Sequence, residues 1–386
     1  MRETFTIPQR VRLLALILTG IGIIALITGF VTDQSRTFTS LLLNNYYFLS
    51  LSLGAVFFFS LHHVTDAGWS SMFKRIPESM ASYVPFAFIV MLVLFAGVRD
   101  IYEWAEPGIT ETDALIAHKS PYLNIPFFYI RAILLFCAWI VLIILIRRAS
   151  LRGDIEEGLA WHEKSKHLSM VYIFVFSITF TVASFDWIMS IDSHWFSTLF
   201  GIRAIVSSLY YAVALLVIIV ILLNKAGYLE ALNKYHLNDF ARYLFRLSIV
   251  FGYLWFMQYL IIWYANIPET TFYYVYRVNE PWTLLFYAEL VINWTIPFIL
   301  LMSDDLARKK AVLIPVSILL LAGFYISLYI QIMPGTTGVL RIGFIEAGSF
   351  LGFAGVFMLL FLRTLSKAPL YVKKDPFIQE SVSHHL

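Results

Sequence analysis

The sequence predicts an all-α membrane protein with about ten transmembrane helices, and three observations support that fold class. Apolar residues make up 60% of the 386 residues and charged residues only 14%, with a mean hydropathy of +0.76, which excludes an ordinary soluble protein. Runs of about 18 or more mostly apolar residues, each long enough to cross a bilayer as a helix, recur along nearly the whole chain. Basic residues cluster in alternate loops, as expected for a multi-pass chain.

The first predicted span follows Arg2, Arg10 and Arg12. Its apolar run is too long for a signal-peptide core and no small-residue cleavage site follows it, so we expect a retained helix. Nine further spans follow along the chain. The ten predicted spans are residues 11–31, 44–66, 80–99, 123–147, 169–192, 197–224, 239–265, 280–302, 311–332 and 343–363.

The distribution of lysine and arginine predicts which loops face the cytoplasm. Placing both termini inside assigns twenty basic residues to the inner face and five to the outer face. The twenty are Arg2, Arg10, Arg12, Lys74, Arg75, Arg147, Arg148, Arg152, Lys164, Lys166, Lys225, Lys234, Arg242, Arg308, Lys309, Lys310, Arg363, Lys367, Lys373 and Lys374. The five are Arg36, Arg99, Lys119, Arg277 and Arg341. Because one missed span would scramble this alternation, the asymmetry supports both the span count and cytoplasmic termini.

Two outer loops and the last span carry features typical of contact surfaces. Residues 100–122 are rich in Asp and Glu, whereas residues 266–282 are crowded with Phe, Tyr and Trp. Such loops suit contact with another protein or with lipid headgroups, and ordinary interfacial loops have the same composition. In the last span, Gly348 and Gly352 have the GxxxG spacing that permits close approach of a second helix.

A faint internal repeat divides the chain into two halves. Residues 67–69 (AGW) recur as 226–228 (AGY), and residues 128–131 (FYIR) recur as 286–289 (FYAE), at offsets of 159 and 158 residues. The repeat predicts two four-helix bundles with the same orientation in the membrane, spans 2 to 5 and spans 6 to 9. Spans 1 and 10 flank them.

These bundles are predicted to belong to one membrane domain. We expect a single integral membrane domain over residues 1–386, with the first bundle at 44–192 and the second at 197–332. The repeat places Arg131 and Glu289 at equivalent positions with opposite charge. This placement would allow an ion pair between the two halves.

The stretch FDWIMSIDSHWFSTLFG, residues 185–201, joins the fifth and sixth spans. Its two tryptophans indicate a position at the outer membrane interface, close to Asp192 and His194. Asp186 is predicted roughly 9 Å inside the hydrocarbon, where a carboxylate costs about 3 kcal/mol and needs a partner, a water-filled cavity or a proton. Two interpretations stay open: a packing acid bonded to a nearby Ser or Arg, and a proton-handling group.

Other ionisable residues lie within or beside the predicted spans. His62 and Asp66 are spaced i, i+4 at the inner end of the second span, with His63 alongside, and suit either proton uptake or contact with headgroups. Arg246 lies roughly 10 Å inside the seventh span. Glu289 lies near the midplane of the eighth, where a charge must be paired or face water.

Carboxyls and histidines at staggered depths are what a proton relay requires, because each proton hop must be short. We therefore predict a proton path across the membrane. Its members are His62, His63, Asp66, Arg246, Glu289, Asp186, Asp192 and His194. The alternative is that these groups only pack helices together.

The sequence offers no basis for soluble-type catalysis or metal chemistry. Cys137 is the single cysteine, so it cannot hold an iron-sulfur cluster, and a CxxCH haem attachment motif is absent. His62 and His194 are predicted at opposite membrane surfaces, so no histidine pair at one depth is available for a b-type haem. Walker, GxSxG and HExxH motifs are also absent. We expect no catalytic residues, no metal ligands, no covalently bound cofactor and no nucleic-acid partner.

Residues 185–201 and the stretch WFMQYLIIWYANIPE at residues 255–269 resemble the ActF subunits of bacterial alternative complex III, a quinol:electron acceptor oxidoreductase. More distantly, the chain is similar to the NrfD-like membrane anchors. The resemblance covers essentially the whole length and implies two four-helix bundles with flanking helices in the bacterial inner membrane. It also implies partners: a related integral membrane subunit, an iron-sulfur subunit, haem c subunits and, further along the chain of electron transfer, a terminal oxidase.

The resemblance implies an accessory, non-catalytic subunit that supports assembly and links quinol oxidation to proton translocation. The haem c and iron-sulfur clusters would belong to partner subunits, which leaves quinone or lipid as ligands of this chain. The alternatives are a quinone-binding subunit, a purely structural anchor and a stand-alone secondary transporter. The transporter is disfavoured because Gly/Pro-broken helices are lacking at matching places in the two halves. A quinone would be expected at the outer ends, around Asp186, Asp192 and His194.

Overall fold

The computed structural model describes residues 4–156, 159–370 and 374–384, and within these ranges the chain is built of helices joined by short loops. Ten helices are long and apolar enough to cross a membrane, which confirms the predicted fold class. We number them α1 to α10. Their bounds are Gln9–Thr32, Gln34–Val64, Arg75–Ile101, Ile125–Arg152, Ala160–Ile191, Thr198–Lys225, Lys234–Ala265, Thr283–Leu301, Lys310–Thr336 and Phe344–Leu365.

Helix α2 lies at the centre of the fold and begins at Gln34, well before the start predicted at residue 44. The prediction excluded its first turns because they are polar. In the structure most of these polar side chains are buried or half-buried, and several have partners on other helices. Arg36 Nε donates to Oε1 of Glu346 in α10 at 2.5 Å, and Ser35 Oγ donates to the carbonyl oxygen of Asp100 in α3 at 3.0 Å. Because the protein supplies these partners, a polar segment can continue as a helix at membrane depth.

Helices α2 to α5 contact one another in a ring, and helices α6 to α9 form a second ring. These rings are the pair of four-helix bundles that the repeat predicts. The bundles meet where α2 packs along α6. Gly54 permits this close contact, because a Cβ atom there would lie only 2.1 Å from the carbonyl oxygen of Ser208 in α6.

Helix α1 packs mainly against α10, outside both bundles. Gly22 of α1 and Gly352 of α10 meet directly, since a Cβ on Gly22 would lie 2.2 Å from the Cα of Gly352. Gly348, the other glycine of the GxxxG pair, faces Ala25 of α1. The small residues of the last span therefore attach the first span to the protein.

Ten crossings leave both ends of the chain on one side, which we term the terminal face, and the opposite side is the distal face. At the terminal face Thr4 forms a β-bridge with Pro369. Of the basic residues predicted to be cytoplasmic, Arg2 and Lys373 lie outside the described residues. The others lie in the loops or outermost three turns of the terminal face, and the five predicted outer ones lie at the distal face.

Residues 374–384 cover the terminal face. Their helix, Ile378–Val382, packs against the short helix Gly68–Phe73 beside the first bundle. At the end of the segment, Nε2 of His384 lies 2.6 Å from Oδ2 of Asp239 in α7. The segment therefore joins the two bundles on this side.

Candidate functional site

A buried group of polar side chains surrounds Glu289 in the second bundle. Glu289 is only 1% exposed, and its carboxylate forms an ion pair with Nη2 of Arg203. Trp255 Nε1 donates to Oε2 at 3.0 Å, and Ser327 Oγ donates to Oε1 at 2.5 Å. Each of the four helices α6 to α9 contributes one of these residues, so the whole bundle fixes the position of this carboxylate.

The backbone of α8 is irregular immediately after Glu289. Residues Val291–Thr295 form a turn of π-helix, a distortion that is frequent at functional sites. Within this turn Asn293 Nδ2 donates to the carbonyl oxygens of Glu289 at 2.9 Å and Gly323 at 3.2 Å. A Cβ on Gly323 would lie 2.2 Å from Oδ1 of Asn293, so α9 requires a glycine opposite the π-turn.

A continuous series of polar contacts connects Glu289 to the distal face. Ser327, which donates to Glu289, accepts a hydrogen bond from Nε2 of Gln331 at 3.0 Å. The carbonyl oxygen of Gln331 accepts from Nη2 of Arg277 at 3.2 Å. The same Nη2 lies 2.7 Å from Oδ2 of Asp192, whose side chain is 11% exposed. We call this series, from Glu289 to Asp192, the distal chain.

Arg277 is held rigidly at the outer end of the distal chain. It lies on the helix Pro268–Val278, within the loop of residues 266–282 that is rich in Phe, Tyr and Trp and that we call the aromatic loop. The guanidinium of Arg277 lies 3.5 Å from the ring centroid of Tyr273. Tyr273 stacks in turn on Trp195 at 3.8 Å. Burial raises the pKa of the Tyr273 phenol, so this ring stays neutral beneath the cation. The aromatic loop therefore packs inward at this point and orders the site.

Several buried polar atoms near Glu289 have no hydrogen-bond partner in the described part of the chain. They are Arg203 Nε, Tyr211 Oη, Gln258 Nε2 and Asn293 Oδ1. A cavity of about 20 Å³ at the junction of the bundles reaches Arg203, and such a volume can hold one water molecule. Since buried polar groups are normally hydrogen-bonded, the site is suited to internal water.

No protein-family model and no curated protein sequence matches this chain. The chemistry of the site therefore has to be read from its residues. A carboxylate that accepts a hydrogen bond from a hydroxyl group can exchange a proton with it, and an arginine beside the carboxylate balances its charge. Glu289 has both neighbours, in Ser327 and Arg203.

Asp186, the acid predicted to need a partner, has one in its own bundle. Arg131 Nε lies 2.7 Å from Oδ2 of Asp186, and Tyr122 Oη donates to Oδ1 at 2.9 Å. The guanidinium also lies 3.9 Å from the ring centroid of Tyr122. Arg131 therefore pairs within the first bundle, and the suggested ion pair between Arg131 and Glu289 is not formed. These contacts are those expected of the packing interpretation.

The predicted group at the terminal face is arranged differently from the expected helical pair. Helix α2 ends at Val64, and Asp66 has left-handed backbone geometry with φ of 49°, so Asp66 and His62 do not share a helical face. Asp66 instead pairs with Lys166 of α5, and this contact holds the pKa of the Asp66 carboxyl below its usual value. His62 Nε2 lies 3.2 Å from the hydroxyl of Tyr243 in α7.

A cavity of about 20 Å³ at the terminal face brings His62, His63 and Asp66 together. The ring of His63 lies 5.5 Å from that of His162. Between His62 and Glu289 the described residues form no continuous series of hydrogen bonds. Of the predicted path residues, Glu289 and Asp192 are therefore linked by polar contacts, whereas the described residues do not link Glu289 to the group at the terminal face.

Two predicted path residues lie apart from the others. The side chain of Arg246 is exposed on the surface of α7, and it forms no ion pair within the ranges that the structure describes. His194 Nε2 lies 2.6 Å from Oδ2 of Asp113 in the distal loops. The backbone amide of Ile116 and His194 together hold the pKa of Asp113 below its usual value. Neither Arg246 nor His194 contacts the distal chain.

Sequence reasoning missed Arg203, Ser327 and Gln331. Arg203 did carry a signal, because it is an ionisable residue inside the sixth predicted span, where charges are rare and need partners. Arg277 was counted only as an outer basic residue. Ser327 and Gln331 are uncharged, and only the packing of α9 against α8 shows that they extend from Glu289 towards the distal face.

Proposed function

We propose that this chain is an accessory, proton-conducting membrane subunit of a bacterial quinol:electron acceptor oxidoreductase of the alternative complex III type. The observation that carries the proposal is the distal chain, which links the buried carboxylate of Glu289 to Asp192 near the distal face. A purely structural anchor does not require a carboxylate held by four helices and connected to one membrane surface.

The two stretches that resemble the ActF subunits both contribute to this site. Residues 185–201 supply Asp192, and residues 255–269 begin with Trp255, which donates to Glu289. The sequence features behind the family resemblance are thus features of the site itself. On this resemblance the partners would be a related integral subunit, an iron-sulfur subunit and haem c subunits.

The distribution of basic residues supports a cytoplasmic terminal face in the bacterial inner membrane. With this orientation the distal chain opens to the periplasm. The cavity at His62, His63 and Asp66 faces the cytoplasm and would admit protons. Proton release to the periplasm through Asp192 would then contribute to the membrane potential.

The geometry suggests how Glu289 handles a proton. In its charged form Glu289 balances Arg203. Protonation of Glu289 would leave the charge of Arg203 uncompensated in the protein interior, which is strongly unfavourable. Arg203 would therefore turn towards Gln258, because Oε1 of Gln258 already lies 3.4 Å from Nη1 of Arg203. The proton would leave Glu289 by way of the Ser327 hydroxyl group. Neither the amide group of Gln331 nor the guanidinium of Arg277 can carry a proton, so the proton would pass them on internal water to reach Asp192, and the charge of Arg277 would oppose free leakage.

The test is quinol-driven proton release by the whole complex in vesicles, comparing the natural chain with Glu289→Gln. We expect proton release to fall to background while electron flow to the acceptor persists. Asp186→Asn is the matched control, because Asp186 is equally buried and paired with an arginine but lies off the distal chain.

Unchanged proton release in Glu289→Gln would contradict the proposal and leave a structural anchor. Purification of the assembled chain without haem-bearing partners would contradict its assignment to an oxidoreductase. Co-purification of those partners with each variant shows that the complex has assembled and that a loss of proton release is not a loss of subunits.

A further inference from the structure

A second polar cavity, separate from the distal chain, opens at the distal face between α2, α9 and α10. Its volume is about 350 Å³. The lining residues that matter for binding are Asp33, Arg36, Val339, Arg341 and Glu346. We call it the distal cleft.

The base of the distal cleft is a rigid, buried ion pair. Arg36 Nε and Nη2 lie 2.5 Å and 2.6 Å from the two carboxylate oxygens of Glu346. Arg36 is 8% exposed and Glu346 1% exposed, and the backbone amide of Gly343 donates to the same carboxylate at 2.8 Å. Nη1 of Arg36 makes no hydrogen bond within the described residues and is not enclosed, so it can bind an acceptor in the cleft.

A second cation stands at the rim of the distal cleft. The backbone of Arg341 is fixed by the hydroxyl group of Tyr329. This hydroxyl donates to the carbonyl oxygen of Arg341 at 2.9 Å and accepts from the amide of Arg341 at 3.2 Å. The Arg341 side chain is exposed and forms no ion pair in the part of the chain that the structure describes. Its guanidinium is therefore available to a ligand.

The distal cleft contains two cations, Arg36 and Arg341, and two anions, Asp33 and Glu346. Its balanced charge does not favour a simple anion. A group that carries one negative and one positive charge matches it better, because each charge finds an opposite one. Asp33 uses Oδ1 to cap the amide of Arg36 at 3.2 Å, which leaves Oδ2 for a cation.

Exposed apolar side chains lie at and beside the distal cleft. Val31, Val339, Ile342 and Phe344 are exposed by 82%, 59%, 64% and 54% of their surface. Val31 lies at the distal end of α1, and the other three lie in the loop between α9 and α10 or at the first residue of α10, where lipid headgroups would be expected. Acyl chains would cover them while a headgroup occupies the polar interior.

We infer that the distal cleft binds the headgroup of a zwitterionic phospholipid, with the phosphate on Arg36 and Arg341 and the ammonium group on Asp33. Phosphatidylethanolamine is the simplest lipid with this chemistry, since its ammonium can donate hydrogen bonds to a carboxylate. The inference does not depend on proton conduction or on the identity of the complex.

The test measures lipid binding to the purified full-length chain or its complex after delipidation. Native mass spectrometry counts retained lipid as phosphatidylethanolamine or phosphatidylglycerol is added back. We expect phosphatidylethanolamine to bind more tightly, and Arg341→Ala to weaken its binding about tenfold, as for loss of one charge-assisted hydrogen bond. Arg99→Ala is the matched control, because Arg99 is an exposed distal-face arginine outside the cleft.

Asp33→Asn separates the two halves of the headgroup. Asparagine is as good a helix cap as aspartate, so α2 should remain intact. This variant should lose affinity for phosphatidylethanolamine and keep its affinity for phosphatidylglycerol, which lacks the ammonium. Equal binding of the two lipids by the natural chain, or equal effects of Arg341→Ala and Arg99→Ala, would overturn the inference. If soluble glycerophosphoethanolamine bound as tightly as phosphatidylethanolamine, the acyl chains would contribute nothing, and the inference that the ligand is a membrane lipid would be overturned.

Discussion

Arg203 of α6 pairs with Glu289 of α8, whereas in the first bundle Arg131 of α4 pairs with Asp186 of α5. The repeat relates α4 to α8, so equivalent helices carry the basic member of the pair in one half and the acidic member in the other. Each bundle thus holds a buried ion pair of its own. Glu289 differs from Asp186 in having the distal chain beside it.

Replacing Arg203 with methionine should destabilise the second bundle. Glu289 would remain buried without its cation, and breaking a buried pair from one side costs about 3 to 5 kcal/mol. Thermal unfolding of the purified chain in detergent measures the effect. The double variant Arg203→Met with Glu289→Gln should recover much of the loss, because no unpaired charge remains. A double variant no more stable than the single one would contradict this account.

Replacing Gly323 with alanine should disturb the π-turn of α8. The new methyl group would lie 2.2 Å from Oδ1 of Asn293, and overpacking of this kind costs about 1 to 3 kcal/mol. We expect lower thermal stability together with slower proton release. Gly20→Ala is the control, since nothing lies within 4 Å of a Cβ at Gly20 in α1. Equal stability of the two variants would show that the π-turn tolerates the change.

Replacing Asp192 with asparagine should slow proton release by about a hundredfold, the lower end of what a positioned proton-transfer group contributes. Asp192 ends the distal chain at Arg277. His194→Ala provides the comparison, because His194 contacts Asp113 and not the distal chain. Proton release in vesicles that depends on His194 but not on Asp192 would place the outlet elsewhere.

The segment 374–384 should leave the terminal face only in strong acid. Burial raises the pKa of Asp375, but the charge of Lys74 at 2.6 Å outweighs it and holds the pKa below its usual value of 3.8. A lowered pKa stabilises the docked segment above pH 3.8, and that stability is lost as the pH falls through the lowered pKa. A spin label at Ser383→Cys, with Cys137→Ser, would report release as increased mobility.

In Lys74→Met the burial of Asp375 would remain while the opposing charge is lost. The pKa of Asp375 would then rise, and release should occur at higher pH than in the natural chain. Lys367→Met, which alters an exposed lysine on the same face, should leave the midpoint unchanged. The same release pH in Lys74→Met and the natural chain would show that this ion pair does not hold the segment.

Local composition was sufficient to predict the ten helices, because the hydropathy of a span depends on its own residues. It failed at the start of α2, where Ser35 and Arg36 were predicted to lie outside the span and are satisfied by neighbouring helices. It failed again at Asp66, whose left-handed backbone turns the side chain towards α5. Both errors have one cause: contacts between helices override the local pattern.

The sequence was less informative about the site. Glu289 was a candidate because of its predicted depth in the membrane, and Asp192 because of its predicted position at the outer interface. In the structure the distal chain connects these two residues. Their partners depend on how helices rotate against one another, which a hydropathy pattern does not determine. Arg246 shows the limit most clearly, since a charged residue predicted inside a span faces outward from α7.

The contact between Gly22 and Gly352 has a consequence for biosynthesis. It joins α1 to α10, which lies more than 300 residues further along the chain, so α1 must wait in the bilayer until the helices between them have been inserted. During that time its own apolar surface holds it, with a mean hydropathy of 2.5 over its best window. Docking of α1 therefore follows the insertion of α10, and a chain interrupted before α10 would leave α1 loose in the lipid.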